Sequence, residues 1–311
     1  MLFRSIAVTA LVCVATPVLA QTPEDPTGLR DKVAAFVQPT NEARTQAVID
    51  LVRAAGFEPE VETFQGGNDR TGPMTGRNVT FTVAGTDTDL TGEILLTAHY
   101  DAVKLRDGSL SHGVVDNAAS VVAVVRAAEL LRAQHLGHTV RVILLDQEEL
   151  GLIGARKWIE AHGLADVRAV VNSDVAGYGD TLMYGQNNGD QSAFVTRAVR
   201  EVCAERAMPC VGFPVYPPSD DRAFSAAGAP VVSLGFQDHV GAHQMWLAFN
   251  GGETNGLAEG FVPQVFRLIH SSEDTMEQLD PATVELAGKV YAELIRKLDG
   301  RIASGNTPPA R

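Results

Sequence analysis

Two adjacent glutamates, Glu148 and Glu149, have the residue type and the position to do acid–base or metal chemistry. The apolar run 140–145 before them predicts a buried strand, and the pattern over 154–161 predicts a helix. Neighbouring side chains at such a junction point in different directions, so one carboxylate can bind a metal ion while the other faces a bound water. Acidic residues are also common in the first turn of a helix, where they interact favourably with its dipole. The pair alone therefore does not establish a site.

Four more side chains of metal-binding type lie close to the ends of predicted elements. They are His99 after the strand 93–98, Asp174 after the strand 167–171, Asp116 before the helix 118–133, and His270 in a loop after the strand 230–236. Loops at the carboxyl edge of an open α/β sheet converge on one crevice, so these side chains are expected to meet. Oxygen and imidazole donors without thiolate are typical of a catalytic zinc site. The sequence therefore predicts a divalent metal centre.

The other predicted elements define the fold class. They are a helix capped by Thr40-Asn41 and ending at Gly56, a loop over 64–74, strands over 78–83 and 181–184, a helix over 191–206, and a last helix from Asp280-Pro281 to Asp299 that stops at Gly300. Strands that alternate with helices imply a mostly parallel sheet with helices on both faces, an α/β fold.

We expect one domain over residues 21–300, followed by a flexible tail over 301–311. The segment 237–260 is rich in glycine and shows no clear periodicity, although it carries His239, His243, Trp246 and Phe249. A structureless stretch of that length usually serves a function or is disordered. We interpret it as a substrate-covering loop, the alternative being a solvent-exposed insertion.

The first twenty residues have the pattern of a signal peptide. Arg4 gives a basic start, residues 6–14 are apolar, and Val18-Leu19-Ala20 fits a cleavage site before Gln21. The apolar stretch is too short for a membrane anchor. Cys13 could suggest a lipoprotein, but Val12 is larger than the residue usual before a lipidated cysteine. We therefore predict export to the periplasm or the medium.

The net charge of the chain disfavours some classes of binding partner. The formal net charge is −13, and removal of Arg4 with the leader makes it −14. So acidic a surface disfavours nucleic acid or an anionic membrane as a partner.

After the leader only Cys203 and Cys210 remain as cysteines. In an oxidising compartment they could form one local disulfide, or they could be two reduced, buried cysteines. We interpret His112, His135, His138 and His162 as surface residues.

Six ordered segments resemble the motifs of the secreted two-zinc aminopeptidase family, which also holds glutamate carboxypeptidases and glutaminyl cyclases. They are His99-Tyr100-Asp101, the segment 113–120, the segment 148–154, Asn172-Ser173-Asp174, Ser219-Asp220 and the segment 270–275. Each motif is weak alone, but their order over about residues 75 to 295 is specific. The resemblance implies the three-layer fold of zinc exopeptidases.

The resemblance also implies a role for each matching residue. Two zinc ions would be bridged by Asp116, with His99 and Asp174 completing one site and Glu149 and His270 the other. Glu148 would be the general base, and Asp101 the carboxylate that orients His99. Tyr216 and Asp220 would contact the substrate. The family often has His after Ser-Asp, whereas this chain has Asp221, so we leave Asp221 out of the site.

These residues together predict an aminopeptidase that hydrolyses the first peptide bond of a peptide with a free N-terminus. A water held between the two ions would attack while Glu148 takes its proton. One alternative is a glutaminyl cyclase, but such relatives usually have Trp before the last zinc histidine, where this chain has Ile269. The same scaffold could also serve a carboxypeptidase or a catalytically dead binding module.

Overall fold

The computed structural model describes residues 28–305, so the predicted leader and the end of the predicted tail lie outside the described residues. The strands are β1 (Glu60–Asn68), β2 (Gly72–Val83), β3 (Glu93–His99), β4 (Thr139–Leu145), β5 (Val167–Ser173), β6 (Thr181–Gly185), β7 (Cys210–Phe213) and β8 (Val231–Gln237). The helices are α1 (Leu29–Ala34), α2 (Asn41–Ala54), α3 (Ala119–Arg132), α4 (Ile153–His162), α5 (Ala193–Arg206), α6 (Asp221–Ala226), α7 (His239–Asn250), α8 (Gln264–Leu268) and α9 (Pro281–Ala303). Within residues 28–305 no helix combines the length and the apolar character needed to cross a membrane.

The eight strands found within residues 28–305 form one mixed sheet in the order β1-β2-β4-β3-β5-β8-β6-β7. The central strands β4, β3, β5 and β8 are parallel, while β2 and β6 join them on either side in antiparallel orientation. The central strands are apolar along their length because helices cover both of their faces. The predicted fold class, a mostly parallel mixed α/β sheet, is confirmed.

Helices cover the two faces of the sheet unequally. On one face α3 and α9 pack against each other, and α1, α2 and α5 surround them over the larger apolar core. On the other face α4 and α6 enclose a smaller core around Trp158 and Phe224. Helices α7 and α8 belong to a third apolar cluster, at the carboxyl edge of the central strands, with Met183 and Tyr216.

The predicted loop over 64–74 is wrong, because this segment forms the turn end of a β-hairpin, with the second half of β1 and the first residues of β2. Strand β1 pairs with β2 in antiparallel register, with Phe64 opposite Gly76. Glycine suggested a loop, yet here it allows close approach: a Cβ atom on Gly76 would collide with the Phe64 ring, and one on Gly66 with the Gln147 side chain. Glycine inside a strand often marks such a position.

The segment 237–260 is not structureless, since it contains α7. Asp238 caps this helix by accepting a 2.9 Å hydrogen bond from the backbone N–H of Gly241. Apolar residues extend over most of the helix surface, including the exposed Val240 and Phe249, which is why its sequence shows no clear helical period. Ala242 and Met245 are buried in the third cluster, whereas Val240 is exposed.

Smaller differences concern helix ends and single residues. Asp280 caps α9 as predicted, but the helix passes Gly300 and continues to Ala303. His138, expected at the surface, is buried, and its Nδ1 lies 2.8 Å from an oxygen of Asp299. Cys203 and Cys210 are joined by a disulfide that connects α5 to β7, a strand that the sequence did not predict.

Candidate metal centre

Five side chains predicted to bind metal form two groups at the carboxyl edge of the parallel strands. One group is His99, Asp116 and Asp174, and the other is Asp116, Glu149 and His270. Within each group the candidate ligand atoms lie within 4.8 Å of one another. Asp116 belongs to both groups, so its carboxylate lies between them.

The distances show how Asp116 is shared. Nε2 of His99 lies 3.1 Å from Oδ1 of Asp116, and Nε2 of His270 lies 3.1 Å from Oδ2. Nε2 of His99 also lies 3.7 Å from Oδ1 of Asp174, and Nε2 of His270 lies 3.0 Å from Oε2 of Glu149. Each oxygen of the Asp116 carboxylate therefore faces a different imidazole, as a bridging ligand requires.

The carboxylates are crowded in a buried place, and their pKa values respond. Burial, and then the charge of Asp116, raises the pKa of Glu149 to about 7. Hydrogen bonds to Asp116 and Glu149 raise the pKa of His270 to about 11. Burial alone would raise the pKa of Asp116, but His270 and His99 hold it well below its usual range. A cation bound among these carboxylates would favour their ionised forms.

The donor set fits divalent metal ions. It consists of three carboxylates and two imidazoles, without thiolate, which suits zinc in a catalytic site. Oε1 of Glu149 is buried and has no hydrogen-bond partner among the described residues. A buried carboxylate oxygen left without a partner is costly, and a bound cation would satisfy it.

The fold brings these side chains together because each lies at the end of an element. His99 is the last residue of β3, and Asp174 directly follows β5. Asp116 lies in the segment Val114–Ala118 before α3, where its own backbone is not helical (φ −120°, ψ 86°), and a cis peptide bond joins it to Asn117. His270 follows α8 with a positive φ of 58°, a conformation uncommon outside glycine.

Asp101 lies beside His99 and also holds the glutamate pair. Oδ1 of Asp101 is 3.5 Å from Nδ1 of His99. The two Asp101 oxygens accept hydrogen bonds of 3.0 and 3.2 Å from the backbone N–H groups of Glu148 and Glu149. One carboxylate thus connects the end of β3 to the segment after β4.

Two other residues hold the site in place, and the sequence pattern had suggested a role for neither of them. The Asp274 carboxylate accepts hydrogen bonds of 2.7 and 3.1 Å from the backbone N–H groups of Val115 and Asp116. Asn117 donates to the carbonyl of Ser173 and accepts from the N–H of Val175, so it fixes the backbone on both sides of Asp174. Both residues lie inside the six ordered motifs, and this position was the feature of the sequence that could have indicated their role.

Glu148 belongs to neither metal-ligand group and lines a cavity of about 230 Å³. Burial raises the pKa of Glu148 well above its ordinary value, although His99 opposes this rise. Asp116, Asp174 and His270 line the same cavity, and much of the remaining wall is apolar, including Met183, Met245, Val265, Phe266 and Ile269. One cavity thus brings together the Glu148 carboxylate, members of both metal-ligand groups and an apolar wall.

The two residues predicted to contact substrate lie in different surroundings. Tyr216 lines the cavity. Asp220 is fully buried outside the cavity lining, and neither of its carboxylate oxygens has a hydrogen-bond partner among the described residues. Burial raises the pKa of Asp220 to about 8. Asp221 is also buried, and it accepts hydrogen bonds from Asn188 and from the N–H of Ser219.

Three solved structures illustrate what this fold is similar to. A Zn-dependent exopeptidase from Parabacteroides distasonis has a TM-score of 0.65 at 16% identity, covering 86% of this chain and 97% of that one. A glutaminyl cyclase from Porphyromonas gingivalis has a TM-score of 0.64 at 18% identity, covering 88% and 98%. A zinc aminopeptidase from Bacillus subtilis has a TM-score of 0.56 at 20% identity, covering 71% and 50%. At such identities the likeness concerns the fold alone.

Sequence comparison identifies the family. No curated protein is detectably similar in sequence. The family model of peptidase family M28 matches residues 78–295, which include the two metal-ligand groups, Glu148 and Asp101. This match extends over more than half of the sequence and coincides with the resemblance found in the ordered motifs. The chain belongs to peptidase family M28.

Proposed function

We propose that the protein is an exported metallo-aminopeptidase that binds two zinc ions and removes the N-terminal residue from peptides. The observation that carries this function is the position of Glu148, a half-buried carboxylate outside both metal-ligand groups that shares one cavity with His99, Asp116, Asp174 and His270. A hydrolase of this kind needs metal ligands and a separate base within reach of the same bond.

In this assignment His99, Asp116 and Asp174 hold one ion, and Asp116, Glu149 and His270 hold the other. Bound divalent ions supply Lewis acidity, which polarises the scissile carbonyl group and lowers the pKa of water. The buried, unpartnered Oε1 of Glu149 supports this assignment, as does the sharing of the Asp116 carboxylate between two imidazoles.

Glu148 then moves the proton. Its carboxylate accepts a proton from the attacking water and passes it to the amine that leaves, because an amide nitrogen leaves poorly unless it is protonated. Burial raises the pKa of Glu148 above its ordinary value, in the direction that makes the carboxylate a better base near neutral pH. Asp101 keeps Glu148 in place through the backbone N–H of that residue.

The surroundings favour a peptide N-terminus as the substrate. The carboxylates of the site would attract a free α-amino group. The apolar wall of the cavity, including Met183, Met245 and Val265, would accept an apolar side chain of the first residue. A cavity of about 230 Å³ has room for one side chain rather than for a folded segment.

One assay tests this function against the competing ones. We would compare aminoacyl-nitroanilides and N-blocked analogues with and without a chelator, and we expect turnover only of free amines, lost on chelation and restored by zinc. Turnover that survives exhaustive chelation would refute the metal mechanism. Purified protein that contains no metal would favour a binding module instead.

A glutaminyl cyclase is the second candidate, because several of the similar structures are cyclases. Ile269 occupies the position before His270 at the cavity wall, where the resemblance leads us to expect Trp in cyclases. Incubation with a peptide that begins with glutamine separates the two activities. Release of glutamine supports the aminopeptidase, and formation of pyroglutamate supports the cyclase.

A further inference from the structure

Arg44 is a buried cation close to the candidate metal centre. It lies on α2 and its exposed fraction is 0%. Its guanidinium donates hydrogen bonds to four backbone carbonyl groups, belonging to Tyr100 at 2.6 Å, Phe36 at 2.8 Å, His112 at 2.7 Å and Gly113 at 3.2 Å. Burial lowers the pKa of Arg44 to about 10, so the side chain stays charged at neutral pH.

Three of these carbonyl groups belong to segments that carry metal ligands. Tyr100 directly follows His99, while His112 and Gly113 come shortly before Asp116. The planar guanidinium of arginine has five donors in a fixed arrangement. One side chain can therefore fix the distance between the segment after β3 and the turn that carries Asp116.

Neighbouring residues on α2 hold the same segment. Asn41 donates to the carbonyl of Ala102 at 3.1 Å and accepts from its N–H at 2.9 Å. The hydroxyl of Thr45 lies 2.9 Å from that of Tyr100. The first part of α2 thus contacts the backbone of residues 100–102 at several points, although α2 precedes the region 78–295 that matches the family.

Arg44 makes no ion pair within the described part of the chain, and each of its three side-chain nitrogens donates to a carbonyl oxygen. Its charge is offset at longer range by the carboxylates of Asp101, Asp274, Asp116 and Glu149, which favour the charged form. Asp101 and Asp274 are the residues that hold the backbone of the ligand segments. The positive charge thus lies among the groups that shape the metal centre.

We propose that Arg44 is a positioning residue of the metal centre, which sets the segments after His99 and before Asp116 at the separation that metal binding requires. This role depends on the metal centre proposed above. Arg44 itself touches neither substrate nor metal, so its effect reaches the ligands through the backbone. Residues that orient metal ligands commonly change metal affinity by about 10–100-fold when they are replaced.

Zinc affinity measured on the purified protein, stripped of metal, tests this role. We would titrate zinc against a chromogenic chelator for the wild type, Arg44→Lys and Arg44→Met. We expect both variants to bind zinc about 10–100-fold more weakly, because lysine keeps the charge but lacks the planar fork that reaches four carbonyl groups. The milder Asn41→Ala should weaken binding in the same direction, which keeps the test open if the Arg44 variants do not fold.

Asp299→Asn is the matched control for a merely structural role. Asp299 is a buried residue that accepts hydrogen bonds from the N–H groups of Gly137 and His138, near the start of β4 and away from the metal ligands. This variant should lower the melting temperature and leave zinc affinity unchanged. Arg44 variants that behave in the same way would overturn the positioning role.

Two other outcomes are decisive. If Arg44→Lys binds zinc as the wild type does while Arg44→Met does not, charge rather than geometry matters and the positioning role is wrong. If the wild type itself binds no zinc, the proposed metal centre is wrong, and the role of Arg44 falls with it. Failure of the inference alone is thus recognised by a wild type that binds zinc and an Arg44→Lys variant that binds it equally well.

Discussion

The carboxylate of Asp101 accepts a 3.0 Å hydrogen bond from the backbone N–H of Glu148. Asp101 lies two residues after His99, so this contact fixes the proposed base relative to a proposed metal ligand. The second Asp101 oxygen accepts from the N–H of Glu149 at 3.2 Å. A single carboxylate therefore sets the relative positions of residues from β3 and from the segment after β4.

Replacing Glu148 with Gln should abolish most of the turnover while both metal ions stay bound. The amide has the same size but cannot accept the proton from water, and base catalysis of this kind is typically worth about 10²–10⁴-fold. We would measure kcat on an aminoacyl-nitroanilide and the metal content of the same sample. Glu160→Gln, which changes an exposed carboxylate on α4, is the control and should keep full activity. An active Glu148 variant would contradict the role of base.

Replacing Asp116 with Asn should weaken metal binding at both sites, whereas Asp174→Asn should weaken it at one. Asp116 belongs to both metal-ligand groups, and each of its oxygens faces a different histidine. Metal content per chain, measured by elemental analysis after dialysis, distinguishes the two variants. An Asp116 variant that keeps as many ions as the wild type would show that its carboxylate does not bridge them.

The sequence was sufficient to predict the central sheet and the gathering of the proposed metal ligands at one edge of it. Buried parallel strands are continuous apolar runs, so β3, β4, β5 and β8 were visible without tertiary information. His99 and Asp174 stand directly at the ends of such strands, and the topology of an open sheet brings those ends together.

Other features depend on contacts that a local pattern does not show. Glycines such as Gly66 suggested a loop over 64–74. The close approach of the Gly66 backbone to the Gln147 side chain, which explains this glycine, exists only in the folded protein. Helix α7 is apolar over most of its surface, including the exposed Val240, so its period is not apparent in the sequence. Arginine is seldom fully buried, so nothing in the sequence around Arg44 indicated that its side chain reaches four carbonyl groups.

Asp220 should make the stability of the metal-free protein depend on pH. Burial raises the pKa of Asp220 from 3.8 to about 8 in the folded state. Protonated Asp220 is therefore favoured in the folded state, and its protonation contributes to the free energy of unfolding. This contribution is fully present below pH 3.8 and is lost as the pH rises towards about 8. We expect the melting temperature to fall between pH 5 and pH 9, with a smaller fall in Asp220→Asn, whose amide stays neutral.

Thermal unfolding of the chelator-treated protein across that pH range checks the effect. Asp190→Asn alters an exposed carboxylate and should keep the pH dependence of the wild type. If Asp220→Asn shows the same slope as the wild type, then Asp220 is already ionised in the folded protein at neutral pH.

Met245→Ala should shift the preference of the enzyme towards larger N-terminal residues. Met245 lies on α7, within the segment predicted to cover the substrate, and lines the cavity that we assign to the first side chain of the peptide. Shortening it enlarges the cavity, and one methylene of fit in such a pocket changes kcat/KM by about 10–200-fold. We therefore expect kcat/KM for a phenylalanyl substrate, divided by that for a leucyl substrate, to rise by about ten-fold or more. The free energy of unfolding should fall by about 2–5 kcal/mol, because a buried side chain is shortened. Val240→Ala, at an exposed position on the same helix, should leave the ratio unchanged. If Met245→Ala instead lowers kcat/KM equally for both substrates, the first side chain of the peptide binds elsewhere.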